Sequence, residues 1–192
     1  KHDDVLVIIS NNPPVNALGA AVRQGLVNGI DEALSDDSVK AVVIRCDGRT
    51  FFAGADITEF GKPMEGPNLG EAIDRMEASD KPVVAAIHGT ALGGGCELSL
   101  HSDHIQAHTE TYMGLVEVGV GLIPGGGGTK EFALRAADKY SENGAVGTTI
   151  IQDYLMNIAT AKVATSAHEA RSMDILRSTD KIAVNKMRRI SE

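Results

Sequence analysis

An α/β fold with largely parallel strands is what this sequence predicts, and three observations predict it. Short apolar runs recur along the first 110 residues, stretches of helical period separate them, and Gly-rich turns follow several of them. Val5 to Ile9 is a nearly continuous apolar run, the pattern of a buried strand, and Asn11-Asn12-Pro13-Pro14 then breaks the backbone. From Ala20 to Leu34, apolar residues at Val22, Leu26, Ile30 and Leu34 recur at every fourth position, which reads as an amphipathic helix. Ala41 to Ile44 is a second buried strand.

The stretch Glu65 to Gly70 reads as a mobile loop, Gly70 to Glu77 as a helix and Pro82 to Ile87 as a third strand. Gly93-Gly94-Gly95 opens a short helix through Leu100, and Asp103 to Ala107 reads as a fourth strand. Beyond Gly128 the pattern turns mainly helical. Ser166-Ala167-His168-Glu169 has the form of a capping box and predicts a helix start. Asp180 to Val184 reads as a last short strand or extended segment. The 192 residues show no internal repeat and no boundary, so residues 1–192 form one domain with a helical tail from about 129.

Composition narrows the function. Hydrophobic residues make up 43% and charged residues 23%, as in ordinary globular domains, while the net charge of −8 offers no basic surface for displacing counterions from nucleic acid. The basic cluster Lys186, Arg188 and Arg189 reads as a solvated chain end. No apolar run approaches the roughly 20 residues that span a bilayer. Cys46 and Cys96 match neither a metal set nor a disulfide framework, which points to a reducing, cytoplasmic compartment. The polar start Lys1-His2-Asp3-Asp4 carries no signal peptide and reads as a cut from a longer chain.

Three Gly-rich segments stand out: Phe52 to Asp56, His88 to Gly95, and Gly121 to Gly128. The last fails as a phosphate loop, because Thr129 precedes Lys130 where Gly-Lys-Ser/Thr is required. No Gly-x-Gly-x-x-Gly follows the first strand, so the chain carries no dinucleotide site. No Gly-x-Ser-x-Gly elbow exists to make the second segment a hydrolase oxyanion loop. His101, Asp103 and His104 lack a converging partner set, and the sequence assigns no metal site. Glu97 and Glu117 remain. Glu97, in the first turn of a helix, has a bland explanation in the helix dipole. Glu117, between Val116 and Val118, is harder to explain that way, since a buried carboxylate is costly without a partner or a purpose. Two carboxyls in differing environments can have their pKa values pushed apart into one acid and one base.

These residues carry a resemblance. Asn12-Pro13-Pro14-Val15-Asn16-Ala17-Leu18, Phe52-Ala53-Gly54-Ala55-Asp56-Ile57, Ala91-Leu92-Gly93-Gly94-Gly95-Cys96-Glu97-Leu98, and Gly114-Leu115-Val116-Glu117 with Gly121 to Thr129 resemble the enoyl-CoA hydratase/isomerase (crotonase) family in order and spacing. Ala161 through Asp180 is similar to the hydratase region of bacterial bifunctional 3-hydroxyacyl-CoA dehydrogenase/enoyl-CoA hydratases. The resemblance implies a crotonase-like (ClpP/crotonase) spiral of ββα units. It implies a lyase of fatty-acid β-oxidation that adds water across the 2,3 double bond of 2-enoyl-CoA. Coenzyme A would be part of the substrate, with no separate cofactor. An enoyl-CoA isomerase and a non-catalytic acyl-CoA-binding or assembly module are the alternatives.

By the same resemblance, the Ala55 and Gly94 N–H groups form an oxyanion hole. Glu97 and Glu117 handle the water and the Cα proton, and Asn16, Ala17, Ala53, Asp56 and Ile57 line the path of the CoA. The partners it implies are the acyl-CoA, further β-oxidation domains, or two more copies in a homotrimer. Two departures are visible. Pro13-Pro14 stands where the family often has a basic residue near the CoA phosphates, and Val116 stands where a Pro commonly precedes the second Glu. The chain also ends soon after Arg189, where the family continues with helices, so its helical part is expected to be incomplete.

Overall fold

The computed structural model describes residues 1–143 and 147–184; the basic cluster at Lys186, Arg188 and Arg189 lies outside them. Its core is a five-stranded, all-parallel sheet in sequential order: β1 (Val5–Ser10), β2 (Ala41–Cys46), β3 (Val83–Leu92), β4 (His104–Gly114) and β5 (Lys181–Ala183). Parallel neighbours need long crossovers, and these hold α1 (Ala20–Ser35), α2 (Leu69–Glu77), α3 (Gly94–Leu100), α4 (Gly128–Asn143), α5 (Gly147–Ala159) and α6 (Ala167–Ser172). The interior strands β2 and β3 are buried on both faces, which is why Val42, Val43 and Ile44, or Val83, Ala85, Ala86 and Ile87, run apolar without alternation.

The expected helices and strands all form, but β3 and β4 run well past their expected ends. The sequence reading stops at Ile87 and Ala107 because His88-Gly89 and His108-Thr109-Glu110 interrupt the apolar pattern. The ladder instead shifts register there, from Ile87 opposite Ala107 to Gly89 opposite Thr111, and resumes to Leu92 opposite Gly114. Such an irregularity bends both strands without ending them. Gly89 makes the bend feasible: its φ is +60°, and a Cβ there would overlap the backbone carbonyl of Arg49.

The loop expected to be mobile, residues 65–70, is instead anchored. Arg23, on the buried face of α1, donates from Nε to Pro67 O at 2.7 Å and from Nη2 to Glu65 O at 3.0 Å. Its Nη1 reaches Leu18 O at 2.7 Å and Glu59 Oε2 at 2.8 Å. A charged side chain on a helical core face escapes an apolar-periodicity reading, yet a guanidinium can be buried when four acceptors satisfy it. Asn68 then caps α2 by accepting from Glu71 N at 2.9 Å. Ser166 caps α6 by accepting from Glu169 N at 3.1 Å, as its sequence predicts. No helix among the described residues is long and apolar enough to cross a membrane.

Candidate active site

Four segments follow the C-terminal ends of four adjacent parallel strands: residues 12–18 after β1, 52–57 after β2, 93–97 after β3 and 115–117 after β4. Open parallel sheets place ligands in the crevice at that edge. Hydrogen bonds stitch the segments together. Leu18 N donates to Gly54 O at 2.9 Å, Ala53 N to Val15 O at 3.3 Å, Leu92 N to Phe52 O at 3.1 Å and Gly93 N to Gly114 O at 2.9 Å.

Glycine at this junction is a matter of space. A Cβ on Gly95 would overlap the Phe52 carbonyl, and Gly93, at φ +52°, sits where its Cβ would come within 3.4 Å of Glu117 Oε1. Gly94 packs so closely that a Cβ would lie 3.1 Å from Leu18 and 2.8 Å from Leu69. Leu18 is bridged in turn to Ala55, so Leu18 touches both segments. Among the described residues, neither Ala55 N–H nor Gly94 N–H donates to a carbonyl of the chain. Gly94 is the first residue of α3, where the N–H has no intrahelical acceptor.

Glu97 lies in the first turn of α3 and is 2% exposed. Its Oε1 accepts from Gly126 N at 2.8 Å and Gly128 N at 3.0 Å, so the glycine-rich turn before α4 is the cradle of this carboxylate. A Cβ on Gly126 would lie 2.7 Å from Glu97 Oε2. Burial raises the Glu97 pKa above the ordinary carboxylate value, opposed by the N–H groups of Gly128 and Gly126 and by the nearby His101.

Glu117 begins a short 3₁₀ turn three residues past β4. Both its carboxylate oxygens are buried without a hydrogen bond. Burial pushes its pKa up to about 7; the negative charge of Glu97 adds to the rise, and the nearby N–H groups of Glu117 and Val116 temper it. The two carboxyls therefore feel each other but live differently, one held by two donors and one by none. That is the separation of environments that divides acid from base.

The remaining sequence-selected residues fall on the rim. Ala55 and Ile57 are exposed, while Ala17, Ala53 and Asp56 are half-buried. Asp56 caps the turn that follows it, accepting from Thr58 N at 3.0 Å and from its hydroxyl at 2.8 Å, which holds the Asp56 carboxyl low. Asn16 is 3% exposed with φ +52°, and its side chain is fully engaged within the loop. Its Oδ1 accepts from Asn12 N at 2.7 Å, and its Nδ2 donates to Asp47 O and Thr50 O, both at 3.0 Å. What Asn16 offers the crevice is thus a positioned backbone. Gly126 and Gly128 are the site residues the sequence reading passed over. It rejected residues 121–128 as a phosphate loop and used them only in the family resemblance, and the signal that marks them is a glycine run able to bring closely spaced N–H groups against a buried carboxylate.

Residues 1–149 match the family model described as enoyl-CoA hydratase/isomerase. The chain is 49% identical over 126 residues to the peroxisomal bifunctional enzyme of Danio rerio, covering 66% of this chain and 18% of that protein. It is 38% identical over 195 residues to the probable 3-hydroxyacyl-CoA dehydrogenase of Bacillus subtilis, covering 95% of this chain and 24% of that protein. The chain thus spans about a quarter or less of these two relatives. Among solved structures, enoyl-CoA hydratase from Mycobacterium tuberculosis superposes with a TM-score of 0.79 at 28% identity, covering 100% of this chain and 69% of that one.

Proposed function

The chain belongs to the enoyl-CoA hydratase/isomerase family, and from that premise we propose that it hydrates 2-enoyl-CoA thioesters at the 2,3 double bond. The observation that carries this reading is the pair of buried carboxyls at the C-terminal edge of the sheet, Glu97 cradled by two N–H groups and Glu117 with none.

The thioester carbonyl enters between Ala55 N–H and Gly94 N–H. As electron density moves onto its oxygen, each donor contributes about 3 kcal/mol of transition-state stabilisation. With Oε1 fixed by Gly126 and Gly128, Glu97 keeps Oε2 to accept a proton from water as the water's oxygen attacks Cβ. The resulting enolate takes a proton at Cα from Glu117. A pKa of about 7 leaves a large share of Glu117 protonated at neutral pH, as an acid in that position requires. The pantetheine runs past Ala53, Asp56 and Ile57 and the backbone of Asn16 and Ala17. The bifunctional and dehydrogenase names of the relatives support a further part of the proposal, that this domain works beside a 3-hydroxyacyl-CoA dehydrogenase domain in β-oxidation.

Amide substitution tests the pair. Glu97→Gln and Glu117→Gln should each lower turnover of but-2-enoyl-CoA by about 10²–10⁴-fold while far-UV circular dichroism is unchanged, since an amide neither accepts nor donates the required proton. A folded variant with near-wild-type turnover would remove that carboxyl from the mechanism.

A further inference from the structure

At the C-terminal end of α3, the opposite end from Gly94, a cavity of about 380 Å³ is lined by Glu77, His101, Asp103, Glu131 and Arg177 and by neither Glu97 nor Glu117. Three of its lining residues that can ligate a metal converge from different helices: Glu77 ends α2, His101 caps the C-terminus of α3, and Glu131 lies in the first turn of α4. One ligating atom from each lies within 4.8 Å of the others.

His101 is the informative member. Its side chain is 0% exposed, and its Nδ1 lies 2.7 Å from the carbonyl oxygen of Glu97. A carbonyl can only accept, so Nδ1 carries the proton and Nε2 of the neutral ring presents a lone pair. That Nε2 is buried without a hydrogen-bond partner and stands 3.9 Å from Glu77 Oε1. A buried lone pair with no donor is a costly arrangement in a ring that a backbone carbonyl already orients. It is also the arrangement of metal-bound histidines, whose second N–H is characteristically given to a carbonyl or carboxylate. Gly127 leaves the approach clear, since a Cβ there would come within 2.8 Å of Nε2.

We propose that Glu77, His101 and Glu131 bind a divalent transition-metal ion, with zinc the best match to one imidazole and two carboxylates. Side-chain cations neighbour both carboxylates. Lys130 Nζ pairs with Glu77 Oε1 at 3.0 Å and Oε2 at 3.2 Å, and Arg177 Nη2 reaches Glu131 Oε2 at 3.2 Å, with Arg135 Nε at 3.6 Å. Lys130 and Glu77 are on the surface, half and 38% exposed, so the ammonium can leave as the ion arrives. Arg177 and Arg135 remain to orient Glu131. The ion would join α2, α3 and α4 directly behind Glu97. Local sequence does not reveal it, because the nearby trio His101, Asp103 and His104, weighed as a metal set, does not converge. Asp103 Oδ2 accepts from Val83 N at 2.8 Å, and His104 Nδ1 sits 3.6 Å from Asp180.

Titrating the chelator-stripped full chain with Zn²⁺ by calorimetry, and with Co²⁺ by visible absorption, tests this apart from any catalytic reading. The proposal expects saturable binding of one ion per chain. Binding should weaken at least about tenfold in His101→Ala and in the closer-fitting His101→Gln. It should tighten in Lys130→Ala, where the competing ammonium is gone. Absence of saturable binding in the wild type would overturn the proposal, as would equal affinity in the wild type and both His101 variants.

Discussion

Glu117 gives the account its sharpest consequence at the scale of single residues. Its pKa stands at about 7 in the fold, above the 4.5 of a free Glu. Between those values the unfolded chain loses the proton while the folded chain keeps it, so folding stability falls as pH rises through that window, by up to about 1.4 kcal/mol per pH unit. Burial raises Glu97 in the same direction. Glu117→Gln should therefore gain thermal stability over the wild type at pH 8 and lose that gain at pH 4; a gain independent of pH would contradict the assignment. The same proton governs rate. For hydration, kcat/KM should decline above pH 7 as Glu117 ionises, and decline at low pH as Glu97 takes up a proton. Because the carboxyls interact, the two limbs report the pair. Asn16 makes a different case. Its side chain holds the loop after β1 through three hydrogen bonds, so Asn16→Ala should cost about 1–3 kcal/mol in chemical denaturation with no ligand present. The sequence marked Glu97, Glu117 and Asn16 as site residues, but hydrogen-bond partners 29 to 34 positions away are not written in local pattern. Only the fold distinguishes a cradled carboxylate from a bare one.

Among elements, the glycine-rich turns decide the outcome. Gly95→Ala should lower stability by about 1–3 kcal/mol, because the added methyl meets the rigid backbone carbonyl of Phe52. Gly126→Ala should instead leave the fold standing and reduce turnover, since its methyl would press on Glu97 Oε2; thermal melting and steady-state kinetics separate the two results. The strands and the helices through α3 were legible from apolar period and punctuation, as was the cap of Ser166, whereas α4 and α5 were read only as one mainly helical stretch. The lengths of β3 and β4 were not, because a register shift carries a ladder through polar residues that end a periodic pattern. Nor was the anchoring of residues 65–70, because it depends on one buried arginine whose four acceptors come from three separate segments.

For the molecule as a whole, a sheet in sequential parallel order collects four sequence-distant segments at one edge, which is how a chain with a net charge of −8 would offer backbone donors to the CoA thioester proposed as its substrate. The turn after β1 holds Pro13 and Pro14, which lack N–H groups, where a dinucleotide fold would present donors to a pyrophosphate. NADH titrated into the chain should accordingly give no saturable fluorescence change in the micromolar range. Water addition by the carboxyl pair is the central step proposed for this chain. Incubation of the chain with but-2-enoyl-CoA in ¹⁸O-labelled water, followed by mass spectrometry, addresses it directly. The predicted product is 3-hydroxybutanoyl-CoA carrying one ¹⁸O on C3, formed by the wild type and sharply reduced in Glu97→Gln. Recovery of unchanged thioester, or of label-free thioester with its double bond moved, would contradict the account.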